Sequence, residues 1–158
     1  MVRELKTADM KIVLQKIQYF CSFQERCIRD TEEKLKDWAV QKKLIPAIIS
    51  ELKKEDYIDE ERFAKVYAGG KFRVNKWGRK KIEFELKMRH IPDDLIRRGM
   101  EEIDEDEYQK VLMDLIRKKQ KEIKQDNNPI IREKIIAFVY DKGYEIEKIV
   151  NALNELNI

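Results

Sequence analysis

Turn-forming residues are scarce in this chain of 158 residues, which has five glycines and three prolines. A protein built of short strands would need many more of them, because Gly and Pro recur wherever such a chain reverses. Histidine occurs once and cysteine twice, and their spacing matches no ordinary zinc pattern. If Cys21 and Cys27 shared a helix, their backbones would lie about 9 Å apart along its axis, beyond disulfide reach. Two reduced thiols, packed as small apolar groups, are therefore expected. No apolar run approaches the roughly 18–20 residues of a membrane span, and the opening "MVRELKTADMKIVLQ" lacks the long apolar core of a signal peptide. A cytoplasmic protein is expected. The patterns G-x-S-x-G, P-loop and H-E-x-x-H are also missing, so no catalytic residue, cofactor or metal is expected.

Net charge is nearly absent as well: 34 basic residues against 31 acidic ones leave +3. The charges are nevertheless segregated. Residues 71–90 hold Lys71, Arg73, Lys76, Arg79, Lys80, Lys81, Lys87 and Arg89 against Glu83 and Glu85. Residues 117–124 form a second basic stretch, and an acidic knot from Glu101 to Glu107 lies between the two. Such segregation can steer an anionic partner even when the total is close to neutral. With 41% charged and 42% hydrophobic residues, the chain is too apolar for disorder and suits exposed amphipathic helices.

Apolar residues recur at helical spacing almost everywhere, and no segment alternates with period two. Met10, Val13, Leu14, Ile17, Phe20 and Cys21 form a first stripe. "SFQE" reads as a capping box, with Ser22 as N-cap and Glu25 at N3 of a second helix running to Leu35 and Trp38. A third helix carries Leu44 to Leu52, with Pro46 near its start. Asp59 caps a fourth that buries Phe63, Val66 and Tyr67, and Gly69-Gly70 either end it or lie within it. Further helices begin near Arg79 (Ile82, Phe84 or Glu85, Leu86) and at Pro92 (Leu95, Ile96, Met100, Ile103). Tyr108 to Ile116 makes another stripe, "QDNNP" (Gln125 to Pro129) reads as a loop, and two helices follow on either side of Gly143.

Nine helices invite a search for an internal repeat, and one is present. With Val40, Ile91 and Tyr144 aligned, Ile45, Ile96 and Ile149 coincide, as do Ile49, Met100 and Leu153, and Leu52, Ile103 and Leu156. Leu35, Leu86 and Val139 match five residues upstream. Apolar identity held over two helices and their connection indicates one three-helix unit used three times. The expected units are 1–55, 56–104 and 105–158, forming an elongated, curved, all-α modular array. Ala39, His90 and Gly143 share the position just after the second helix of each unit, where a left-handed residue commonly stops a helix. The lone histidine is thus a helix terminator in this register.

Two segments in the middle of the chain, "YIDEERFA" (Tyr57 to Ala64) and "KWGRKKIEFELKMRHI" (Lys76 to Ile91), carry a resemblance to the RecX family of bacterial regulators of the RecA recombinase. "YIDEERFA" (Tyr57 to Ala64) is similar to that family's G-Y-[IL]-[DN]-[DE]-x-R-[FY]-A segment, with Asp56 where Gly is common. "KWGRKKIEFELKMRHI" (Lys76 to Ile91) is similar to its x-x-G-x-x-[KR]-I-x-x-E-L-x-x-[KR]-G-I segment, with His90 in place of the usual Gly. "CSFQERCIRDTEEKL" resembles the first unit of Bacteroidetes-type members. The resemblance implies three tandem three-helix repeats, and a non-enzymatic protein that lies in the groove of the RecA–DNA filament; a monomer is expected. It implies inhibition of ATPase and strand exchange, and hence a role in DNA repair and the SOS response.

Two readings of the basic residues stand side by side. Surface lysines on a solvated face are the ordinary one. The other makes Lys71, Arg73, Lys76, Arg79, Lys80 and Lys81 a partner-binding face, extended by Arg117, Lys118 and Lys121. It would meet an acidic surface of RecA or the phosphates of filament DNA. Cations at a helix N-terminus oppose the macrodipole, a local cost that hints at function. Trp77 reads either as a seam residue between helices or as a platform for a base. Trp38, Phe63, Tyr67 and Phe72 read as core, and Asp59 with Arg62 as a cap and local ion pair. An independent helical DNA-binding protein, gripping phosphates through the same basic faces, is the alternative function.

Overall fold

The computed structural model describes residues 7–123 and 128–158. These form nine α-helices and no strand: α1 Thr7–Phe23, α2 Ile28–Asp37, α3 Ile45–Lys54, α4 Glu60–Asn75, α5 Arg79–Met88, α6 Asp93–Met100, α7 Glu105–Glu122, α8 Asn128–Asp141 and α9 Ile146–Glu155. They group as three successive three-helix repeats, each with a long helix first. No helix among the described residues is long and apolar enough to cross a membrane.

The repeat register locates the turns because the same hydrogen bonds recur. At the end of α5, His90 N donates to Lys87 O (2.9 Å) and Ile91 N to Leu86 O (3.2 Å). Equivalent pairs end α2 (Ala39 N to Lys36 O, Val40 N to Leu35 O) and α8 (Gly143 N to Tyr140 O, Tyr144 N to Val139 O). This is the double bond of a helix that closes on a left-handed residue. Ala39, His90 and Gly143 have φ of 57°, 58° and 102°. Asp56 (φ 61°) plays the same part after α3, which explains why an aspartate can stand where relatives of the motif carry Gly. Val40, Ile91 and Tyr144, the residues after the three terminators, are all buried.

The apolar residues collect in two clusters. One lies within α1–α3 and the segment after them, around Ile17, Leu35, Ile45, Leu52 and Ile58. The other runs without a break through α4–α9, from Phe63 and Phe72 to Tyr144 and Leu153, and takes in Cys27 from the first repeat. Both cysteines are free and buried. Burial raises the Cys27 thiol to about 12, which makes it unreactive at neutral pH. Within the second repeat, α6 crosses α4 closely enough that a Cβ on Gly99 would lie 2.8 Å from Ala64 O.

Several details differ from the sequence reading. Ser22 lies inside the last turn of α1 and donates to Tyr19 O (2.9 Å) instead of opening α2. The N-cap of α2 is Cys27, whose Sγ accepts from Asp30 N (3.4 Å). Glu25, cast as the other half of a capping box, reaches across to Arg62 Nε (2.6 Å). Arg62's ion pair is therefore with Glu25, while Asp59 Oδ1 caps α4 through Arg62 N (3.0 Å). Val66 and Phe84 are exposed, at 54% and 60%. The stripe of α4 runs through Phe63, Ala64, Ala68 and Phe72, one position off Val66. Gly69 and Gly70 lie within α4. Asn128 and Pro129 open α8, while the preceding part of the "QDNNP" loop falls outside the described residues. Trp38 is the C-cap of α2 and a third exposed instead of core.

Candidate functional site: a basic seam between the second and third repeats

The seam is built from main chain. Gly78 N donates to Lys142 O (2.7 Å) and Lys80 N to Gly143 O (2.9 Å). A Cβ on Gly78 would collide with the Gly143 carbonyl group, so the two turns can approach this closely only without a side chain there. Tyr108 and Tyr144 stack beside them, 4.9 Å between ring centroids. Tyr144 Oη donates to Lys76 O (3.0 Å), and Tyr108 Oη accepts from Arg79 N (3.1 Å) and donates to the Glu145 carboxylate (3.0 Å). Burial holds both phenols well above the ordinary tyrosine range, so both remain proton donors.

Around this seam the nine basic residues named from sequence take different surroundings. Lys71 and Lys81 place their ammonium groups over the indole of Trp77, at 4.8 and 4.6 Å from its centroid. Trp77 itself is half-buried against the second core and edge-on to Tyr67 (6.5 Å). This is the geometry of a seam residue whose ring already serves two cations. Arg79 is engaged internally: its guanidinium lies 4.0 Å above the Tyr108 ring and bonds Glu105 (2.7 Å). Glu105 also takes Lys148 (2.5 Å), and these two donors hold its carboxyl below the usual range. Part of the acidic knot is thus an internal partner of the basic stretch. Asp104 from the same knot caps α7 through Glu107 N (2.9 Å).

Lys76 ends α4 in the left-handed region (φ 60°) and is exposed. Lys80 and Arg73 are exposed, as are Arg117, Lys118 and Lys121 along α7. Arg117 makes a long pair with Asp114 (3.7 Å). A groove of about 230 Å³ brings the two sequence clusters together, with Lys76 on one wall and Lys118 on the other. Lys119 and Lys142, absent from the sequence-derived set, complete it over Val74, Leu115 and Phe138. The Lys119 ammonium lies 4.5 Å from the Phe138 centroid, and Lys142 Nζ donates to Asn75 O (3.2 Å). Glu122 is the only carboxylate among the lining residues. Four ammonium groups surround an apolar floor, with Glu122 3.8 Å from Lys119, and the excess of positive charge favours anions over cations there.

A family model described as "RecX, second three-helix domain" matches residues 59–100, the stretch that forms α4 to α6. Over this stretch the chain is similar to the RecX family. It is 28% identical over 146 residues to Regulatory protein RecX of Bacillus cereus strain B4264, covering 92% of this chain and 54% of that one. It is 28% identical over 142 residues to Regulatory protein RecX of Clostridium acetobutylicum, covering 85% and 65%. The chain therefore spans about half the length of the Bacillus relative. Its fold is that of the crystal structure of RecX from Lactobacillus salivarius, with a TM-score of 0.84 at 20% identity over 96% of this chain and 99% of that one.

Proposed function

We propose that this chain is a RecX-type, non-enzymatic regulator that binds the RecA–DNA filament and inhibits the recombinase's ATPase and strand exchange. The observation that carries this reading is the seam groove. It joins basic residues from repeats 2 and 3 into one cationic surface beside a main-chain crossing. The proposed contact set is Lys71, Arg73, Lys76, Lys80, Lys81, Arg117, Lys118 and Lys121, together with Lys119 and Lys142. Arg79 contributes mainly by positioning. The same reading takes 1–55, 56–104 and 105–158 as the functional units.

The test is RecA-dependent ATP hydrolysis on single-stranded DNA, with and without the protein. Dose-dependent inhibition is expected, and it should weaken by about tenfold or more in a Lys76→Glu, Lys118→Glu double variant. Tenfold corresponds to about 1.4 kcal/mol of binding. Binding to RecA–ATP filaments with little affinity for bare DNA at physiological salt supports the proposal. Tight binding to bare DNA that falls steeply with salt, without any effect on RecA, would replace it with an independent DNA-binding protein.

A further inference from the structure

A second concave surface lies in the first repeat, away from the seam. Its cavity of about 620 Å³ is lined by Ile12, Tyr19, Phe20, Phe23 and Trp38, with Gln15, Lys16 and Arg26 at the edges. Tyr19 and Phe23 are 73% and 72% exposed, and Ile12 is 51% exposed. Ile12, Gln15, Lys16, Tyr19 and Phe23 follow one face of α1 at spacings of three and four. Large side chains concentrated along one groove in this way, instead of scattered singly, mark an interaction surface.

The charges around the groove say what covers it. No carboxylate is among the lining residues. The Arg26 guanidinium lies 3.9 Å from the Phe20 centroid, and the Lys34 ammonium lies 5.4 Å from Phe20 and 5.7 Å from Trp38. Among the described residues, neither these two nor Lys16 has an ion pair. The rim therefore carries Lys16 and Arg26, with Lys34 close by and no lining carboxylate; Arg26 Nε also donates to Phe20 O (3.2 Å), and the net positive edge calls for acid on the occupant. A second copy docked symmetrically on this face would set these cations against themselves. From Ile12 to Phe23 the face runs about 16 Å along α1, matching some three turns of a guest helix.

We propose that this groove docks an acidic amphipathic helix of a protein partner. Its apolar residues would seat among Tyr19, Phe23 and Trp38, and its carboxylates on Lys16, Arg26 and Lys34. This site is separate from the seam and does not depend on the RecA reading.

The probe is a fluorescein-labelled synthetic helix of about three turns. Leu and Phe occupy its i, i+3, i+4 and i+7 positions and Glu flanks them; a second peptide has every Glu replaced by Lys. Anisotropy titration of the full chain should show saturable binding of the acidic peptide and at least about tenfold weaker binding of the basic one. Tyr19→Ala with Phe23→Ala, and separately Arg26→Gln with Lys34→Gln, should each lower affinity about tenfold at unchanged helicity by circular dichroism. Lys76→Glu with Lys118→Glu should leave it unchanged. The proposal is overturned if the acidic peptide fails to bind, if the groove variants bind like the parent, or if both peptides bind equally. It is also overturned if only anionic lipid vesicles bind, or if sedimentation shows Tyr19-dependent self-association in place of peptide binding.

Discussion

Where repeat 3 meets repeat 2, main-chain hydrogen bonds pass between two glycine turns that touch, and a stacked tyrosine pair closes beside them. Where repeat 1 meets repeat 2, the polar contacts run through side chains. Glu25 pairs with Arg62, the Glu60 carboxylate accepts from Ile28 N (3.3 Å), and the Arg29 guanidinium donates to Met88 O. Among the described residues, Cys27 carries the second core across this joint, and Tyr57 and Ile58 carry the first. Main-chain bonds shielded by aromatic rings respond little to salt or pH. Partly exposed ion pairs respond to both. Repeats 2 and 3 are therefore expected to unfold together, with the Arg79–Glu105 pair their salt-sensitive part, and repeat 1 is expected to loosen first as salt rises.

The sharpest way to break this contrast is Gly78→Ala. The added methyl group has no space, and two interrepeat hydrogen bonds depend on the close approach. A loss of about 3 kcal/mol or more is expected in urea denaturation. Tyr108→Phe should follow at about 2 kcal/mol, because it strips partners from Arg79 N and Glu145 beneath the seam. Arg62→Ala at the other joint should cost about 1 kcal/mol or less, since its ion pair is a third exposed. It should nevertheless speed proteolysis in the 24–27 connection, an effect that high salt reproduces in the parent and that Gly78→Ala does not show selectively.

The smallest effect is in pH dependence, where the joints have opposite signs. Burial raises the Glu60 pKa above the ordinary 4.5. The native state then binds that proton more tightly than the unfolded chain, so this contribution weakens as pH rises from 4.5 through the folded value. Hydrogen bonds from Lys148 and Arg79 lower the Glu105 pKa. Its contribution is complete above 4.5 and is lost as pH falls through the folded value. In thermal melts across the acid range, Glu60→Gln and Glu105→Gln should therefore tilt the stability profile in opposite directions.

Helix positions and the turns between them were legible in the sequence, because the repeat superimposes core residues and terminators together. His90 was readable as a helix stop from that register and from the glycine that the resembled motif carries there. What period and register cannot show is a partner far along the chain. Glu25 looked like a local cap because its attraction to Arg62, 37 residues away, leaves no mark nearby. Arg79 looked free for the same reason, although Glu105 and Tyr108 hold it. Lys119 and Lys142 join the groove only through the packing of α7 and α8 against the end of α4. Val66 was placed in the core on hydrophobicity, as was Phe84 in one of two registers with Glu85, and one step around a helix was enough to expose both.

The shared left-handed position at Ala39, His90 and Gly143 also grades tolerance to mutation along the chain. The first two are exposed, and a side chain there meets only its own backbone preference. Gly143 is buried, and a Cβ on it would lie 2.6 Å from Lys81 N. In a saturation library sorted for folded protein, positions 39 and 90 should return many residues with glycine among the best. Position 143 should return glycine alone, because there a neighbouring repeat has been stacked onto the turn.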